Sequence, residues 1–138
     1  MRFSTRKRAN TSASSKGTGR SEHVEQREFV SWFRKSYEGV RIIAIPNGGQ
    51  RNIATAGRLK AEGVVPGVPD LFIPVWNLWI EMKKETGGRI SPEQKDWHNY
   101  LNSINQSVII GKGFDDAKLQ VEEFITGIKE SYGGTEPD

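Results

Sequence analysis

From residue 21 to about 36 the apolar positions Phe29, Val30, Trp32 and Phe33 fall at helical spacing. They follow an acid-rich turn, residues 22–25, that suits the positive end of a helix. Residues 40–45 are a β-branched run stopped by Pro46, Asn47, Gly48 and Gly49, the pattern of a buried strand leading into a tight turn. A short helix is expected over residues 52–62, with Gly63 just past its end. After a Pro- and Gly-rich loop come two apolar runs, residues 70–75 and 78–84, that read as a hairpin about Trp76 and Asn77. Pro74 leaves one side of the first run without a ladder partner. Ser91 and Pro92 then open a helix as N-cap and first helical residue, with Trp97, Leu101 and Ile104 as its apolar stripe. Residues 107–111 form another buried strand. Residues 115–129 form a last helix, with Ala117, Val121, Phe124, Ile125 and Ile128 inward. The order α-β-α-β-β-α-β-α predicts an α/β fold, a central four-stranded mixed sheet flanked by helices.

Charge divides the chain into three parts. Residues 1–20 hold six cations, among them Arg6, Lys7 and Arg8, and no acid, amid Ser, Thr and Gly. They read as a disordered basic arm that suits a phosphate backbone, or else as a solubilising or appended tail. From residue 21 onward there are 14 basic and 17 acidic residues, so the body, 21–130, is slightly acidic. Residues 131–138 read as a flexible tail.

Composition narrows the chemistry. With no cysteine there is no disulfide scaffold, thiolate zinc site or cysteine nucleophile, and two His cannot make a three-His metal site. No apolar run reaches the length of about 18 residues needed to span a bilayer, and no secretory signal opens the chain. The expectation is a cytoplasmic protein, with no membrane partner, working through carboxylates, lysine and hydroxyls.

Those groups converge in the hairpin. If Trp76 and Asn77 are its two turn residues, Asp70 lies opposite Lys83 with Glu81 on the diagonal, and all three share one face. Diagonal neighbours lie roughly 7–8 Å apart, near enough for two carboxylates to share a divalent cation. Leu71, Ile73, Ile80 and Met82 take the other face, toward the core. Charges amid so apolar a segment are costly unless satisfied. They either form an Asp70–Lys83 salt bridge or hold a metal.

The pattern Pro69-Asp70 … Glu81-Met82-Lys83 resembles the PD-(D/E)xK nuclease signature, and the likeness extends along the body. Pro46-Asn47-Gly48-Gly49, Arg51, Leu59-Lys60, Glu62-Gly63-Val64, Gly67, Gly88, Ser91-Pro92-Glu93-Gln94, Gly111 and Ala117 together resemble the VRR-NUC domain, a branch of those nucleases frequent in bacteriophages. The resemblance covers about residues 21–128. It implies the restriction-endonuclease-like fold, dependence on Mg²⁺ with Mn²⁺ as a substitute, and hydrolysis of DNA, in particular branched DNA such as Holliday junctions, by a homodimer.

On this resemblance Asp70 and Glu81 are metal ligands, Met82 adds its backbone carbonyl, and Lys83 activates water and stabilises charge. Gln94 matches a helix glutamine near the site, although Ser91 and Gln94 also form a capping box, and the two roles are compatible. Glu22 matches a first-helix acid that completes the metal shell, with Glu25 on nearly the same face as its rival. Asn47 and Arg51 form a phosphate-binding loop or simply a turn. Lys60 and Lys84 join the arm as DNA contacts or as solvated charges. His98 reads as a surface or rim residue. Trp76, Trp79, Val65 and Val68 are candidates for the dimer interface. The alternatives to a junction nuclease are a flap or sequence-specific nuclease, and a non-catalytic DNA-binding module of the same fold.

Overall fold

The computed structural model describes residues 20–46 and 53–133. Helix α1 (Glu22–Ser36) starts at Ser21, whose hydroxyl accepts the Val24 N–H at 3.2 Å. It buries Glu25, Phe29 and Phe33, one residue per turn on a single face. Strand β1 (Ile43–Ala44), helix α2 (Ile53–Ala61), strands β2 (Leu71–Ile73) and β3 (Leu78–Lys83), helix α3 (Pro92–Ser103), strand β4 (Ser107–Lys112) and helix α4 (Phe114–Gly133) follow. The sheet runs β1-β2-β3-β4, antiparallel as far as β3, with β4 parallel to β3 through the α3 crossover. The expected α/β fold with a four-stranded mixed sheet is the one observed.

Alternation along β2 and β3 sets the core. Leu71, Ile73, Leu78, Ile80 and Met82 are at most 1% exposed and pack with Phe29 and Phe33 of α1 and Ala117 and Val121 of α4. Gly111 lets α4 approach β4 closely. A Cβ there would lie 2.6 Å from that of Ala117. The pair Gly111 and Ala117 is therefore a packing contact. At the end of α2, Gly63 takes φ 106°, with its N–H on the Lys60 carbonyl and the Val64 N–H on that of Leu59.

Several sequence expectations are corrected. Residues 40–45 do not form a buried strand. Only Ile43 and Ala44 pair with β2, both are exposed, and Ile42 is the buried residue, because β1 is an edge strand with one neighbour. The hairpin turn is four residues long. Pro74–Trp76 is a 3₁₀ turn closed by Asn77 in the left-handed region (φ 50°), so Ile73 faces Leu78 and Leu71 faces Ile80. Trp76 is half-buried at the turn and packs against Phe33, Tyr37 and Phe124. On α3 the inward positions are His98 and Leu101, while Ile104 is exposed past the helix end. Helix α4 continues to Gly133, so residues 131–133 are helical where a tail was expected.

Candidate active site

The four-residue turn moves the hairpin register by two positions from the expected one. A shift of two preserves the face of every side chain but changes who stands opposite whom. Continuing the ladder beyond Leu71 and Ile80 sets Asp70 across from Glu81 rather than Lys83. Asp70 is pinned from both sides. Its carbonyl accepts the Ile45 N–H at 2.8 Å, and its Oδ2 accepts the Met82 N–H at 2.7 Å. The Met82 N–H thus holds Asp70 in place, while the Met82 side chain lies in the core.

Glu81 is 1% exposed, yet both its oxygens are engaged. Gln94 donates Nε2–H to Oε2 at 3.0 Å, and His98 Nε2 lies 3.3 Å from Oε1. Gln94 also closes the capping box, its Oε1 accepting the Ser91 N–H at 2.9 Å. The two roles proposed for Gln94 therefore coexist, because its two amide atoms face opposite ways. His98 is buried, contrary to the surface reading. It sits one helical turn after Gln94, and that i, i+4 spacing was the signal that could have placed it here. Burial, then the nearby Lys83 charge, pushes the His98 pKa down, so the ring is neutral where its Nε2 pairs with Glu81.

The charges do not cancel locally. Burial first, then the Asp70 carboxylate beside it, pushes Glu81 up to about 9, with Glu22 adding to the rise and Lys83 opposing it. Lys83 is 8% exposed and makes no ion pair with Asp70 or any other described acid. Gly88 packs against its side chain, where a Cβ would meet that of Lys83 at 3.1 Å.

A cavity of about 530 Å³ opens over these groups, between the start of α1 and the start of α3. Glu22, Gln26, Asp70, Glu81 and Gln94 line it. The loop before β2 forms one wall and is held tightly to α3. Gly67, at φ 97°, leaves room for the Glu93 carbonyl 2.6 Å from where a Cβ would stand. The structure separates the two helix acids. Glu22 faces the cavity, whereas Glu25 is buried and accepts the Phe114 N–H at 2.8 Å, capping α4. Lys60 and Lys84 are exposed and do not line the cavity. Asn47, Arg51, Arg6, Lys7 and Arg8 lie outside the described residues.

Among the described residues no three His, Asp or Glu side chains form a ready-made metal cage. Two adjacent carboxyl groups with no described cationic side chain in ion-pair contact instead fit a hard cation of the Mg²⁺ type, which takes one or two carboxylates and leaves positions for water and phosphate. No helix among the described residues is long and apolar enough to cross a membrane.

Together, fold and site define an α/β domain with paired acids at a sheet-end cavity. A solved structure described as a VRR_NUC domain protein shares the α/β fold, with TM-score 0.68 and 24% identity over 79% of this chain and 91% of the other. No family model matches the sequence, and no curated protein matches it.

Proposed function

We propose that the chain is a metal-dependent endodeoxyribonuclease of the VRR-NUC type, hydrolysing phosphodiester bonds in branched DNA such as Holliday junctions. The observation that carries this reading is Asp70 set across the hairpin from Glu81, with Lys83 on the same face, beneath an open cavity on a VRR_NUC-like fold. A binding module that never held metal would gain nothing from acids turned toward phosphate, since they repel it.

In this reading Asp70, Glu81 and the Met82 carbonyl would hold Mg²⁺ or Mn²⁺, with Glu22 at the rim of the cavity. The bound cation would supply Lewis-acid polarisation of the phosphate and a water of lowered pKa. The chain's own residues do the rest. The Met82 N–H fixes Asp70, while Gln94 and His98 fix the two oxygens of Glu81. Lys83, held without an acid partner, is free to orient water and to stabilise charge on the phosphoryl oxygens as it develops.

Resolving a four-way junction requires two cuts, and the chain offers one Asp70/Glu81 pair, so the active species is a two-fold homodimer near 31 kDa, twice 15.5 kDa. Trp76, Trp79, Val65 and Val68, each at least partly exposed, are the apolar candidates for its interface. Junction, flap, nicked and linear DNAs incubated with Mg²⁺, Mn²⁺ or EDTA test the whole reading. Paired, metal-dependent cuts across the junction support it. Equal cutting of flaps or linear duplex by a monomer defeats the junction and dimer parts. Tight binding with no cleavage under any metal leaves the non-catalytic module.

A further inference from the structure

The outward face of α1 carries charge that the cavity does not explain. His23, Gln26, Arg27, Arg34 and Lys35 fall on one side of the helix and line a second, shallow hollow of about 590 Å³. His23 and Gln26 also line the cavity over Asp70 and Glu81, so the two concavities are neighbours that share these side chains. Arg34 in turn opens a third hollow, shared with Arg41. None of Arg27, Arg34, Lys35 or Arg41 has an acid within salt-bridge distance among the described residues. The acids of α1 are occupied elsewhere. Glu25 caps α4, Glu28 pairs with Arg20 at 2.6 Å, and Glu22 faces the first cavity. In a body that carries more acid than base, this face is purely cationic.

We infer that the outer face of α1 is the track along which a nucleic-acid strand leaves the Asp70/Glu81 cavity, with Arg27, Arg34, Lys35 and Arg41 as phosphate contacts. The inference rests on the nuclease reading and gives the cut strand its path. From His23 to Lys35 the helix rises about 18 Å, the length of roughly five steps along one strand of a duplex. Unpaired arginines in a shallow groove match that spacing of charge, and Arg adds bidentate phosphate geometry.

The test measures binding of the full chain to a duplex of about 20 base pairs in EDTA, so that no cleavage intervenes. Each phosphate contact contributes about 0.9 to the slope of log affinity against log salt. Arg27→Gln/Arg34→Gln should lower that slope by about 1.8. Lys118→Gln/Lys129→Gln on α4, which removes the same charge, should leave it unchanged, and Arg27→Lys/Arg34→Lys should retain most of it. In the wild-type protein, DNA should protect Lys35 but not Lys129 from acetylation read by mass spectrometry. Equal slopes for the two glutamine pairs, or Lys35 acetylated equally with and without DNA, would overturn the track. A wild-type protein that never cleaves with metal, yet shows the Arg27/Arg34 slope change, supports the track and refutes the nuclease reading alone.

Discussion

Strand β3 places two chemistries back to back at the same depth. Leu78, Ile80 and Met82 face α1 and α4, while Glu81 and Lys83 on the opposite face are 1% and 8% exposed. The apolar side needs only to exclude water. The polar side needs partners for its buried atoms, and for Glu81 these are Gln94 and His98 of α3, distant in sequence. One face of the strand therefore contributes stability. The other uses it to hold two carboxylates beside each other, an arrangement that burial and mutual repulsion oppose.

The sharpest way to break this contrast is to neutralise the polar face. Asp70→Asn or Glu81→Gln should lower Mg²⁺-dependent cleavage on the order of 10³-fold or more, about 4 kcal/mol in barrier, while circular dichroism and DNA binding persist. Full activity in both variants would sink the metal-site reading. Lys83→Ala should remove a smaller factor, roughly 10²–10³ in kcat. A rise in KM at constant kcat would mean that Lys83 only holds DNA.

The converse substitution attacks the apolar face. Ile80→Ala, one residue from Glu81, should cost about 2–5 kcal/mol in urea denaturation, the usual range for truncating a buried Ile. Glu81→Gln, by contrast, should leave the metal-free protein at least as stable as wild type near pH 8. If the two variants lose stability equally, the faces do not differ as described.

His98 refines the contrast further. His98→Ala should weaken Mn²⁺ binding by calorimetry, and cleavage, by about 10–100-fold, the range for residues that orient a ligand. His98→Gln should recover part of the loss, because its amide can still hydrogen-bond to Glu81. Unchanged Mn²⁺ affinity in His98→Ala would reduce His98 to a space-filler.

The pH dependence of stability is the most specific of these readouts. Because the folded pKa of Glu81 is raised from 4.5 to about 9, the folded protein keeps a proton there that the unfolded chain has released. This contribution is therefore fully present below pH 4.5 and is lost as pH rises through about 9, at no more than about 1.4 kcal/mol per pH unit. Thermal midpoints measured in EDTA from pH 5 to pH 9 should fall in wild type more steeply than in Glu81→Gln. Parallel curves would place the buried charge elsewhere.

How much of this was legible beforehand follows the range of the interactions. Period-two alternation put Asp70, Glu81 and Lys83 on one face and Leu71, Ile73, Ile80 and Met82 on the other. Ser91, Pro92 and Gln94 announced the start of α3, and Gly63 the end of α2, because caps and alternation are set by neighbours a few residues apart. Tertiary structure alone decided the rest. The left-handed turn at Asn77, with Trp76 packed against the edge of the core, set the register that brought Asp70 opposite Glu81. The choice between Glu22 and Glu25 turned on the Phe114 N–H, 89 residues from Glu25, and the burial of His98 on Glu81, 17 residues away. Such contacts depend on how helices pack across a sheet, and no local pattern of hydrophobic and polar positions encodes that packing angle.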